Sequence, residues 1–228
     1  MLTNYRWIGK PIPRLEDPPL ITGRATFIDD IKLQGMLYVA VLRSPFPHAL
    51  IKWIDGQKVL KRVGVKGILL PDEVVEKSKP IPPARTVVNF NSEEYCLAHK
   101  KTRHIGEPVA AVAATSQSLA YDALDYFEVD YEVLKPVVDP EQALVDNTNL
   151  VFESYKKNLV AHFSEKWGDV ISAFHAADRV LNMEFNLHRY SFTPLETIGV
   201  IANYDIYRNS LTIWANVQMV GEALKTIS

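Results

Sequence analysis

Apolar residues fall along the chain in short runs, and their period changes from run to run. "MLYVAVLRS", from Met36, is continuously apolar and predicts a strand covered on both faces. "HALIKWID", from His48, alternates and predicts a second strand. "IGEPVAAVAATS" passes a glycine-proline turn into another covered strand. "SLAYDALDYF" has helical spacing, with Leu119, Ala120, Ala123, Leu124 and Phe127 on one face and Ser116 or Ser118 as cap. "EVDYEVL" sets Val129, Tyr131 and Val133 against Glu128, Asp130 and Glu132, the pattern of a half-exposed strand. This stretch reads strand, helix, strand.

"KPVVDPEQALVDNTNLVFE" is a meandering connection and the expected domain boundary. Beyond it, "GDVISAFHAA" predicts a short helix capped by Asp169. "RVLNMEFNLHRY" alternates Leu181, Met183, Phe185 and Leu187 against Asn182, Glu184, Asn186 and His188, which predicts a long strand. "TIGVIANYD" and "LTIWANV" predict two more strands joined by a turn at "YRNS". Met219 to Ile227 begins an amphipathic helix with no glycine, proline or charged tail to finish it. The ending therefore reads as a cut through a longer protein. At the other end, Pro11, Pro13, Pro18 and Pro19 predict an extended arm rather than a helix.

The resulting fold class is mixed α/β, or α+β, in four parts. They are an arm over residues 1–20, an α/β domain over 21–136, a connection over 137–160, and an incomplete second domain over 161–228. There is no internal repeat or low-complexity tract.

Composition narrows the function. The formal net charge of −2 gives no field to draw nucleic acid or an anionic membrane. The longest apolar runs fall well short of the roughly 20 residues of a membrane-spanning helix. One cysteine, Cys96, excludes an internal disulfide framework, and the first residues lack a secretory core, so a cytoplasmic location is expected.

Candidate chemistry is sparse. Cys96, His99, His104 and Glu107 are the densest set of possible zinc ligands, but their spacing fits no common module and the interleaved "HKKTRH" opposes a cation. A solvated loop leading into the strand at Val109 is the favoured reading, so no metal site is assigned. "KRVGVK" and "HKKTRH" are too short and too free of aromatics for a nucleic-acid patch. The pairs Glu16-Asp17 and Asp29-Asp30 point to opposite sides of an extended chain, which favours capping and docking over acid-base work.

A longer pattern is specific. Arg14 to Asp55 carries, in order, Arg-x-Glu-Asp, Thr-Gly-x-Ala-x-Phe, Asp-Asp, Gly-Met-Leu, Leu-Arg-Ser-Pro and His-Ala-x-Ile. This resembles the opening of the large, molybdenum-binding subunit of the molybdenum hydroxylases, the xanthine oxidase, aldehyde oxidoreductase and carbon monoxide dehydrogenase family. "HIGEPVAAVAATSQSLAYDALDYFEVDYEVLKPVVDPEQAL" is similar to the same family's α/β hammerhead domain. "HRYSFTPLETIGVIANYD" and "LTIWANVQMV" are similar to the start of its molybdopterin-binding domain, with "PLET" nearer the carbon monoxide dehydrogenase and prokaryotic aldehyde oxidoreductase branches.

The resemblance implies one surviving active-site position. Gln218 matches the glutamine that donates a hydrogen bond to the oxo or hydroxo group on molybdenum. The competing reading is a strand-end glutamine capping the helix at Gly221. Glu196 is expected in the domain core or funnel wall rather than as a catalytic acid. The resemblance also implies molybdopterin in the complete subunit, iron-sulfur clusters and FAD on partner subunits, and the remainder of the large subunit as partner. The chain alone is expected to be inactive and to bind no molybdopterin, because one glutamine and two edge strands cannot enclose it. The alternative is an orphaned, catalytically silent domain acting at most as an interaction module.

Overall fold

The protein is described from a computed structural model, which covers residues 6–82, 94–145, 148–191 and 193–227. Residues 83–93, ahead of the candidate ligand Cys96, lie outside the described residues.

The first half contains α1 (Asp17–Ile21), a 3-10 turn (Ile28–Asp30), β1 (Tyr38–Arg43), β2 (Ala49–Asp55), α2 (Gln57–Leu60), β3 (Val65–Leu69), α3 (Pro71–Lys77) and β4 (Lys101–Thr102). The second contains β5 (Pro108–Ala114), α4 (Gln117–Leu124), β6 (Glu128–Val133), α5 (Pro140–Val145), α6 (Val170–Ala176), β7 (Val200–Asp205), β8 (Ser210–Ala215) and α7 (Val220–Ile227). Compactness divides the chain into a larger unit, Gly35–Glu184, and a smaller one formed by Met1–Gln34 with Phe185–Ser228.

The larger unit has two antiparallel sheets, ordered β1-β5-β3 and β4-β2-β6. β5 is central in the first, and Val109, Ala110, Ala111, Val112 and Ala114 are buried along it. Its alanines leave room for two flanking strands and for α4, whose Ala120 and Ala123 join Ala40, Val59, Val112 and Ala114 in one core cluster. Leu119, Phe127 and Tyr126 pack around that cluster, and the Arg62 guanidinium lies 4.0 Å over the Tyr126 ring.

Ser116 is the cap of α4, its hydroxyl accepting from the Leu119 N–H at 3.3 Å. Because α4 supplies part of the core, Ser116→Ala is expected to cost about 1 kcal/mol. Thermal unfolding of the variant against the parent protein measures it, and an unchanged midpoint would count against the cap.

Three expectations are corrected. β1 is an edge strand with Val39 63% exposed, not a strand covered on both faces; the covered one is β5, which has a neighbour on each side. The proline arm turns into α1 from Asp17, because Pro18 and Pro19 stand in the first turn, where the missing N–H has no helical partner to lose. Arg179 to Tyr190 has no strand partner and no regular structure, since a strand needs a neighbour for its backbone groups whatever its side-chain pattern.

The smaller unit is a two-stranded ribbon, β7 against β8, with α1, the 3-10 turn and α7. Its hairpin turn is made by Asp205, whose carboxylate accepts from the Tyr207 and Arg208 N–H groups at 2.9 and 3.1 Å. Asn209 closes it with φ of 49° and accepts from the Tyr204 hydroxyl at 2.6 Å.

Candidate functional site

Gln218 is exposed at a bend between β8 and α7. The chain on either side is fixed by polar clips. Asn216, two residues earlier, accepts from the Gly199 N–H at 2.9 Å and donates to the Thr197 carbonyl at 2.6 Å. It thus ties the exit of β8 to the entrance of β7. Glu196 accepts from the Ile28 N–H at 3.0 Å, so this carboxylate is occupied in holding the 3-10 turn. Gly199 lets that turn approach: a Cβ there would stand 2.7 Å from Ile28 Cγ2. Periodicity flags neither Asn216 nor Gly199; only their position at the two strand ends hints at a clip.

Asn216→Ala would leave the Gly199 N–H and Thr197 carbonyl without this partner. It is expected to raise amide exchange across residues 197–200 and 214–217 by about tenfold, a loss of 1.4 kcal/mol in local opening. Exchange followed by mass spectrometry tests it, and unchanged protection would remove the clip.

The other candidate residues go to separate structural tasks. Asp30 accepts from the Phe27 N–H at 2.9 Å, a capping contact, and Asp17 pairs with Arg14 at 2.6 Å. His99 faces Asp72 at 3.4 Å, the His104 ring lies 3.0 Å from the Ile105 carbonyl, buried Glu107 accepts from the Arg103 N–H, and Cys96 is exposed. Among the described residues no group of three His, Cys, Asp or Glu side chains is arranged to hold a metal.

"HKKTRH" is not a free cationic surface. The Lys101 side chain is only 5% exposed and its ammonium donates to Glu153 and to the Leu150 carbonyl. Arg103 stacks 4.6 Å over Phe152. Partial burial opposes ionisation of Glu153, but the hydrogen bond and charge of Lys101 outweigh it and hold this carboxyl below its ordinary value. Its folded pKa is depressed, so the pair's contribution is complete above the ordinary glutamate range and is lost as pH falls through the folded value. Glu153→Gln is expected to cost about 1–3 kcal/mol at neutral pH by leaving the Lys101 charge without its anion. The loss should vanish in acid, and a difference in melting temperature that persists there would refute the pairing.

The larger unit thus holds two three-stranded antiparallel sheets with α4 packed on the first, and in the smaller unit the β7–β8 ribbon is followed by exposed Gln218. Residues 22–135 match the α/β hammerhead domain of aldehyde oxidase and xanthine dehydrogenase, and residues 151–228 match a molybdopterin cofactor-binding domain. The chain belongs to the molybdenum hydroxylase large-subunit family.

It is 31% identical to the carbon monoxide dehydrogenase large chain of Afipia carboxidovorans, over 90% of this chain and 26% of that one. The solved structure of quinoline 2-oxidoreductase from Pseudomonas putida 86 superposes with a TM-score of 0.82 at 34% identity, over 91% of this chain and 26% of the other. The nicotinate dehydrogenase large molybdopterin subunit of Eubacterium barkeri is 29% identical over 89% of this chain, and there the match spans 45% of the relative. The chain spans about a quarter of the length of the first two, and nearly half of the third.

A cavity of about 250 Å³ in the smaller unit is lined by Phe27, Ile28, Asp29, Asp30, Leu195, Glu196 and Thr197. Its three carboxylates repel a phosphate-bearing cofactor, and Gln218 is not in its wall.

Proposed function

We propose that this chain forms the hammerhead domain and the first part of the molybdopterin-binding domain of a molybdenum hydroxylase of the carbon monoxide or aldehyde dehydrogenase type. It is inactive alone and completes its site with a polypeptide carrying the rest of the large subunit. Further subunits hold the iron-sulfur clusters and FAD, and the complex works in the cytoplasm. The proposed domains are those read from the sequence, with residues 137–160 as the connection.

One observation carries the reading. The glutamine whose position matches the family's molybdenum-facing donor stands on an exposed bend, next to the strand end that the Asn216 clip holds. Such a residue acquires its role when a second surface closes over it. There Gln218 would position a polar group at the metal through its side-chain amide. No helix among the described residues is long and apolar enough to cross a membrane.

The test is the native mass, molybdenum and iron content of the chain purified from its own source. A complex well above 25.8 kDa with both metals is expected. A metal-free particle containing this polypeptide alone would overturn the reading in favour of a silent interaction module.

A further inference from the structure

β2 lies between β4 and β6, and its two neighbours differ in length. β6 accompanies it from Ala49 to Asp55, whereas β4 ladders only Ala49 and Leu50. The Lys100 carbonyl then accepts from the Ile51 N–H at 2.8 Å, and there the pairing stops. It stops because the chain turns: the Lys101 N–H donates to the His99 carbonyl at 2.8 Å, with Lys100 between them at φ of 64°, in the left-handed region. Over residues 52–55 the outer edge of β2 therefore meets no strand among the described residues.

A cavity of about 170 Å³ opens at that edge, and its lining includes Lys52, Trp53 and Ile54 of β2 together with Asp72, His99 and Lys100. Successive residues of a regular strand point to opposite faces, yet Lys52 and Trp53 share this lining. The reason is a bulge: register passes from Ile51 opposite Tyr131 to Trp53 opposite Asp130, so Lys52 is an extra residue and the side chains at the bulge are re-aimed. Lysine and a bulge also serve to protect an open edge from pairing. Trp53 argues against that role here, because a half-exposed indole adds apolar surface to the edge. The lining carries three basic side chains against the single carboxylate of Asp72. Lys52 is shared with Glu132 and His99 faces Asp72, while Lys100 is exposed and meets no carboxylate among the described residues.

We infer that this cleft docks an extended, acidic segment of another protein. The segment continues the line of β4 along β2: its main chain pairs with the edge over residues 52–55, an apolar side chain lies on Trp53, and a carboxylate meets Lys100. Backbone pairing selects an extended polypeptide over a free anion, and the excess of bases selects acidic side chains. The positive sign is local, since the chain as a whole carries a formal net charge of −2. Every residue involved belongs to the larger unit, so the inference does not depend on the proposed function.

The probe is a capped hexapeptide of alternating glutamate and valine, titrated into the full chain, with the lysine-valine hexapeptide and free glutamate as comparisons. Amide exchange in β2 and the fluorescence of Trp53, assigned with Trp53→Phe, report occupancy. The glutamate-valine peptide is expected to bind saturably, to slow exchange over residues 52–55 and to shift the Trp53 emission, with affinity falling as salt is raised. Lys100→Glu should weaken its binding by about tenfold. Lys100→Gly, which suits the left-handed backbone and removes the ammonium, should weaken it less and keep the fold, as circular dichroism checks.

Failure of the glutamate-valine peptide to bind, equal binding of the lysine-valine peptide, or undiminished binding by Lys100→Glu would each overturn the inference. Free glutamate giving the same exchange and fluorescence response would make the cleft a small-anion site and overturn it as well. Slow exchange over residues 52–55 in the chain alone would show an edge already covered. A peptide-free particle of twice the chain mass with that edge protected would give the place to a second copy, and either result overturns docking of a partner.

Discussion

Gly64→Val is expected to destabilise the larger unit by about 2–5 kcal/mol. Gly64 has φ of +81°, in the left-handed region that a β-branched residue does not adopt without strain. Space is closed as well: a Cβ there would meet Leu119 Cδ1 at 2.5 Å and Thr115 Oγ1 at 2.9 Å. The position of both neighbours is set by their surroundings. Leu119 packs against the core cluster through α4, and the Thr115 N–H donates to the Gly64 carbonyl at 3.0 Å. Backbone strain of about 1–2 kcal/mol adds to overpacking of about 1–3 kcal/mol. Together they take a large share of the about 5–15 kcal/mol that holds a domain folded. Thermal unfolding and soluble yield measure it, with Gly64→Ala expected to be milder. A Val variant that melts with the parent protein would show that the turn is not packed as described.

Gln218→Ala is expected to lower turnover of the assembled complex by about 10–100-fold, the usual penalty for removing a partner that orients a metal's reactive ligand. Turnover should fall while KM stays nearly constant, because in the proposed role the amide would act at the metal and not on substrate capture. The chain itself should melt unchanged, since Gln218 is exposed on a bend. A complex with unaltered turnover would remove the assigned role, and a lowered melting temperature would return the residue to strand-end structure.

Much of the fold is legible in the sequence because single elements announce themselves by period. β2, β5, α4, β6, α6, β7, β8 and α7 all coincide with their apolar patterns, and Asp169 caps α6 through the Ser172 N–H at 3.1 Å. What is not legible is pairing. β5 and β6 flank one helix in sequence yet join different sheets. β3 and α3 merge into one unresolved apolar stretch, "VKGILLPDEVV", whose periods cancel. Lys101 reads as one more cation in a basic run, because the carboxylate that lets it be buried lies 52 residues away. Arg179 to Tyr190 shows the reverse case, a strand alternation that joins no sheet among the described residues. Gln218 is singled out only through the family pattern, since an exposed glutamine after a strand carries no local sign of the role proposed for it.

The bond between the Ile28 N–H and Glu196 joins positions 168 apart in sequence, and this sets an order of events. Closing so long a loop in an open chain costs on the order of 4–5 kcal/mol in entropy, far more than one hydrogen bond returns. If Gly35–Glu184 folds first, the chain between the two partners is no longer open and the entropy still to be lost on closing the contact falls. The segment around Ile28, although among the first to leave the ribosome, therefore waits for residues made much later, and the rate at which it settles follows the folding of everything between.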